Sequence, residues 1–468
     1  MRDLVFVGFL LAFLGLGFRR PFVLVLAYVY IDIIAPQRLT YFLLNSVPVS
    51  MIAVALAVGG WALADAKAHS RFAPRQMMIV VLLAYCWITT VNADFPKEAL
   101  DKWDWVWKCL AFAAFLPLTL RTRLRIESLL LVMILSAGSI IIVGGIKTLA
   151  SGGGYGELDL MVTNNSGLYE GSTISTVAIA IIPLLFWLMK HGTIFPPDWR
   201  VKTFGIALTF SCLLIPVGTS TRTGLLCIGL VALLSLRNAK RKILYLTMLG
   251  VAGLVAIPFL PATFTERMNT IKTYQADESA ATRLAVWKWT IEYAKTHPFG
   301  GGFEAYRGNH IRYDIKKTDG AASTSSGVGT GAAPAAAAPP PVTDTLTNDK
   351  ARAYHSAYFE MLGEQGYAGL ALWLAISVIG LFRMEVLRRR YRDPAGEFAW
   401  AGSLAAALQT AHLVYLLGAA FIAIAFQPFV YMLIGAQIGL DTYLARRRSE
   451  ESFRPVRKAR PALLPLPA

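Results

Sequence analysis

Nothing constrains the fold of this chain more than its apolar runs, which repeat at the length needed to cross a bilayer. About 13 of them stand out, each of roughly 15 to 22 residues, a span that carries a helix through the hydrocarbon core. They cover 4–18, 21–35, 47–65, 77–93, 105–120, 127–149, 173–190, 203–218, 223–236, 243–260, 366–384, 399–424 and 427–444. The first two are short, so 12 is the alternative count. Backbone groups in lipid must bond within their own segment, so these runs are expected as helices and not as strands. The split between the last two follows Gln427-Pro428, because proline disfavours helix in the residue before it. With 55% hydrophobic residues over 468 positions and a mean hydropathy of +0.51, the expectation is an all-α polytopic membrane protein. Leu4 to Phe18 reads as a retained helix, since no small-residue cleavage site follows it.

The charge pattern orients the bundle. The formal net charge is +16, but no nucleic-acid-binding module accompanies it. The basic residues gather instead in alternate short loops: Arg19-Arg20, Lys67 to Arg75, Arg121 to Arg125, Lys190 to Lys202, Arg237 to Lys242 and Arg388 to Arg392. Lys and Arg mark cytoplasmic loops, so these six loops and the basic tail 446–468 share the inner side. The chain then divides into an N-terminal bundle 1–260, a long outer loop 261–365, C-terminal spanning helices 366–445 and the tail. Within the outer loop, 277–296 reads as an amphipathic helix on the spacing of Leu284, Trp287, Ile291 and Ala294, with Trp287 and Trp289 seating it at the membrane interface. The stretch 320–342 is Ala/Pro/Gly/Ser-rich and reads as disordered. The four cysteines all lie in apolar runs, with no CxxC pair, and read as buried thiols.

Candidate chemistry collects on the outer side. His355 immediately precedes a long apolar helix, and an imidazole titrates near neutral pH, so it suits a general base for a hydroxyl nucleophile. A structural histidine at the interface is the plainer alternative. Arg222 opens a helix after Ser220 and Thr221, both N-cap residue types. A guanidinium beside a helix N-terminus suits phosphate or diphosphate, and the competing reading is a snorkelling interfacial arginine. Arg283, Arg307 and Arg312 are further candidate clamps, and Tyr354, Tyr358 and Thr221 candidate substrate contacts. Asp32, Lys108 and His412 are polar groups within apolar runs, where such residues often serve function. The outer carboxylates Asp94, Glu98, Asp101 and Asp104 are too loosely spaced to indicate a metal site. No P-loop or HExxH pattern occurs, so neither ATP nor zinc is implied, and no cofactor is expected.

Three segments together resemble the O-antigen ligase and polymerase superfamily. They are Thr219-Ser-Thr-Arg-Thr-Gly-Leu-Leu226, Arg283 with Trp287 and His297-Pro-Phe-Gly-Gly-Gly302, and His355 with Tyr358, Leu362, Glu364 and Gly366. The N-terminal Met1-Arg-Asp-Leu, Arg19-Arg-Pro21 and Ala35-Pro-Gln-Arg-Leu39, with Leu168-Tyr-Glu-Gly-Ser172, resemble O-glycosylation ligases associated with exosortase systems in Gram-negative bacteria. The resemblance implies a metal-independent inverting glycosyltransferase of the GT-C type, in the bacterial inner (cytoplasmic) membrane with its site facing the periplasm. The implied donor is an undecaprenyl-diphosphate-linked glycan. The implied acceptor is a glycan, a lipid A core or a protein. By the same resemblance, His355 is the base and Arg222 and Arg283 bind the diphosphate. A Wzy-type polysaccharide polymerase shares that donor chemistry, and a lipid-linked sugar transporter is the reading from another class. The expected site is a cationic outer pocket with all three residues lining it.

Overall fold

A computed structural model describes residues 2–44, 46–65, 67, 72–153, 167–238, 241–242, 247, 250, 278–318 and 342–452. Among the described residues ten helices of stated bounds precede the long outer segment: α1 Arg2–Arg19, α2 Phe22–Ile34, the single turn α3 Pro36–Leu39, α4 Val49–Ala64, α5 Pro74–Val91, α6 Pro96–Thr119, α7 Arg123–Ser151, α8 Gly171–His191, α9 Trp199–Gly218 and α10 Arg222–Ser235. Then come α11 Glu278–Thr296, a two-stranded antiparallel hairpin β1 His310–Thr318 and β2 Val342–Lys350, and α12 Ala357–Arg390, α13 Ala399–Ala419 and α14 Pro428–Ser452. Among the described residues six helices are long and apolar enough to cross a membrane, and α2, α4 and α10 are shorter apolar helices. The fold is an all-α polytopic bundle. Most of the run 243–260 and the stretch 320–341 read as disordered lie outside the described residues.

The helix directions agree with the charge reading. The end of α4, the α6–α7, α8–α9 and α12–α13 connections and the end of α10 fall at one end. The turns 92–95, 219–221 and 420–427 fall at the other, with the starts of α8 and α12. C-terminal helices do not stand apart from the N-terminal bundle. α13 packs along α8 and α10, and α14 along α6 and α7. Trp187 of α8 donates its indole N–H to the Trp400 carbonyl at 3.0 Å. In mid-bundle, Gln437 joins His412 (3.1 Å) and Arg75 (2.9 Å), which gives His412 a structural partner set away from the outer site. All four cysteines are free and buried.

Four sequence expectations change. The outer loop was read without strands. Its hairpin runs in register from His310 opposite Lys350 to Thr318 opposite Val342. On α11, Leu284 and Ile291 are exposed, and the buried face is Thr282, Val286, Thr290 and Ala294, which shares only Ala294 with the expected stripe. Trp287 turns inward to the protein and not to the membrane interface. Its indole N–H donates to the Tyr354 carbonyl at 2.9 Å, and its ring stacks on Phe359 at 4.9 Å. Finally, α12 begins at Ala357 and breaks its helical backbone at Gly366, where the apolar run was expected to start.

That break explains the glycine-rich motifs. The strand-like run after Pro298 docks against it: Gly301 donates to the Gly363 carbonyl, Gly302 to that of Glu364, and Tyr367 to that of Pro298, all at 3.0 Å. Gly300 and Gly366 both take positive φ (87° and 63°), a region that costs other residues about 1–2 kcal/mol. A Cβ on Gly366 would strike the Pro298 carbonyl, and one on Gly300 the Glu364 carbonyl. From α5, the Tyr85 hydroxyl bonds the Phe299 and Gln365 carbonyls at 3.0 Å, and Thr89 bonds the Gln365 side chain at 2.7 Å.

Candidate active site

A cavity of about 1160 Å³ opens at the outer ends of α2, α6, α8 and α12, and His355 lines it. His355 takes a left-handed φ of 49°, as do two other non-glycine lining residues, Ala35 (49°) and Glu304 (64°). Non-glycine residues held there cost of order 1–3 kcal/mol each and persist only where surroundings enforce them. The surroundings here are visible. Upstream, Arg352 is clamped to Asn309 by two bonds, its N–H to Oδ1 (3.0 Å) and its carbonyl from Nδ2 (2.6 Å). Tyr354 is fully buried against Tyr306, with its carbonyl held by Trp287. Downstream, the Ser356 carbonyl starts α12 by accepting from Glu360 N–H at 2.8 Å.

His355 is exposed to the cavity, with protein close enough around it to desolvate the ring in part. Burial, with Arg283 nearby and Arg352 beyond it, pushes its pKa below the usual imidazole value, while Glu170 pulls the other way. A neutral imidazole at physiological pH is the form a general base needs. Glu170 itself caps α8, accepting from Ser172 N–H (3.0 Å) and Thr173 N–H (2.6 Å), and lines the cavity with Thr173.

Sequence reasoning missed the largest polar network in this wall. The Lys102 ammonium bonds Glu360 (2.7 Å) and both oxygens of Glu364 (2.9 and 2.8 Å). The remaining oxygen of Glu360 accepts Ala425 N–H, and Glu364 accepts Glu304 N–H, each at 3.0 Å. Lys102 also lies over the Phe303 and Phe426 rings. One ammonium thus ties α6, the turn at Glu304, α12 and the α13–α14 connection together beside His355.

The candidate residues divide. His355, Tyr354 and Arg307 line the cavity, Arg307 paired with Glu304 at 3.0 Å. Arg283 is off the lining but near enough to act on His355. Arg222 is also off the lining, at the first position of α10. Thr221 holds the N-cap position without a capping bond, its hydroxyl going to Ser175 at 2.9 Å. Ser175 lies five residues beyond Glu170, about 8 Å along α8. Tyr358 packs away from the cavity, its hydroxyl on the Leu416 carbonyl at 3.0 Å and its ring edge-on to Trp373. Arg312 sits exposed on β1, also off the lining. Asp32 and Lys108 line the cavity, Lys108 paired with Asp104 at 2.9 Å. No group of three or more His, Cys, Asp or Glu among the described residues is arranged to hold a metal.

The expected cationic pocket is not what His355 lines. Eight carboxylates and four cations border the cavity among the described residues. A proton shared within the Lys102 pair would leave that excess in place. The arginines proposed for diphosphate lie beyond its edge.

A helical membrane bundle with a cavity lined by a histidine is the class this architecture defines. Residues 206–374 match the O-antigen ligase family, and residues 1–193 match a family of unknown function, DUF5935. The match over 206–374 supports the O-antigen ligase/polymerase superfamily. No functionally curated protein matches it.

Proposed function

We propose that the protein transfers a glycan from an undecaprenyl-diphosphate-linked donor to an acceptor hydroxyl at the periplasmic face of the inner membrane. The carrying observation is the position of His355, which lines the cavity and lies within reach of Arg283's charge. The acceptor O–H gives its proton to the imidazole as the oxygen attacks the anomeric carbon. The bond from that carbon to the diphosphate oxygen breaks from the opposite face, inverting the centre. The electron pair leaves with the diphosphate, and Arg283 with Arg222 stabilises the charge that develops there. A diphosphate so paired is a competent leaving group, so the reaction draws on no nucleotide. The family match supports a lipid-linked glycan donor and a glycan-transferring activity.

The test is transfer by the purified full chain from an undecaprenyl-diphosphate glycan. Removal of a general base lowers turnover by about 10²–10⁴-fold, and His355→Ala is expected in that range with donor binding retained. Wild-type turnover by that variant would remove the mechanism and favour a transporter.

A further inference from the structure

The acidic excess in the cavity has an address. Glu98, Asp101, Trp105 and Lys108 recur at three- and four-residue spacing, so they share the face of α6 that borders the cavity. Asp32 adds to this wall from α2. Lys108 is engaged by Asp104, and Lys102 by its two glutamates, which leaves the wall's balance negative. Trp105 is 43% exposed, a large indole face turned to open space. His355 lines the same cavity, and Arg283, which is off its lining, is near enough to act on the imidazole.

A diphosphate is disfavoured against such a wall, because like charges placed together are repelled. Carboxylates, by contrast, are pure acceptors, suited to the hydroxyl and ammonium donors of a sugar. We propose that the α2–α6 wall is the acceptor subsite, and that it takes a glycan free of phosphate and carboxylate, either uncharged or bearing an amine. This rests on the transferase reading above and assigns the two substrates to opposite sides of His355. The donor's diphosphate belongs with the arginines. The acceptor's sugar ring lies on Trp105, with its hydroxyls toward Asp101, Glu98 and Asp32.

Equilibrium binding to the full chain in detergent at low salt tests this without turnover. The probes are fluorescent short oligomers of glucosamine, N-acetylglucosamine and galacturonate, with inorganic pyrophosphate alongside. The carboxylated oligomer is expected to bind about tenfold more weakly than the other two, a gap that salt narrows. Glu98→Gln with Asp101→Asn should shrink the preference for the amine by about threefold or more. The charge-preserving pair Glu98→Asp with Asp101→Glu should keep it, and pyrophosphate binding should follow Arg222 and Arg283 instead. Equal binding of the carboxylated oligomer, no binding of any oligomer, or a pyrophosphate response to the α6 variants would each overturn the assignment. His355→Ala turnover is scored separately, so this subsite and the transferase mechanism fail by different results.

Discussion

Lys102 and Glu364 meet at 2.8 Å although 262 positions separate them. The bond joins a segment matched by one family to a segment matched by another. Breaking a buried pair strands a charge and costs about 3–5 kcal/mol. Lys102→Met should therefore lower the unfolding midpoint in detergent sharply. Adding Glu364→Gln should recover part of the loss, because two groups in contact are not additive. An unchanged midpoint in the single variant would show that the network carries no weight.

The pH profile reports on His355. Its depressed pKa keeps it neutral at a pH where a free imidazole, at about 6.5, has begun to take a proton. Transfer should follow the neutral form, so the acid limb should fall below that value. Removing the neighbouring positive charge in Arg283→Ala raises the pKa and should move the limb to higher pH. Removing the negative charge in Glu170→Gln lowers it and should move the limb to lower pH. Shifts in the same direction for both variants would contradict the arrangement of charges around the ring.

Gly300 and Gly366 should resist any side chain. Each combines positive φ with a carbonyl where a Cβ would go. Alanine at either site is expected to abolish a monodisperse peak in size-exclusion chromatography. Gly8→Ala in α1 is the control, since its Cβ would meet nothing within 4 Å. A normal peak for Gly366→Ala would mean that the α12 break is not as drawn.

Trp287 positions His355 through the neighbouring residue. Trp287→Phe keeps a ring on Phe359 but loses the bond to the Tyr354 carbonyl, worth about 1 kcal/mol. The expected signature is a lower kcat with donor KM little changed. A rise in KM alone would instead put Trp287 in donor binding.

The bundle was legible because lipid permits little else, and the alternation of its connections because the basic loops alternate with them. His355 was legible as a titratable group at a helix start. Its partners were not. Lys102 sits in a run of carboxylates that looks like a solvated helix face. Only the pairing of Glu360 with Glu364, one helical turn apart, hinted that a buried cation must lie opposite. The hairpin was hidden because a low-complexity insertion separates its strands. The alternation of Ile311, Tyr313 and Ile315, and of Thr343, Thr345 and Thr347, was the available signal. The acidic cavity escaped notice because its charge is the sum of residues scattered over five segments of the chain.

The hairpin's register carries a consequence for how this protein tolerates change. Thr318 opposite Val342 closes the ladder beneath residues 319–341, and the other end of that ladder meets the Asn309 clamp that holds the stretch before His355. Lengthening or trimming 319–341 therefore costs loop-closure entropy alone, about 0.6 kcal/mol per doubling. Nine paired rungs separate the joined strand ends from the stretch before His355, which makes the connection between the strands a natural graft point for an epitope, a label or a fused domain.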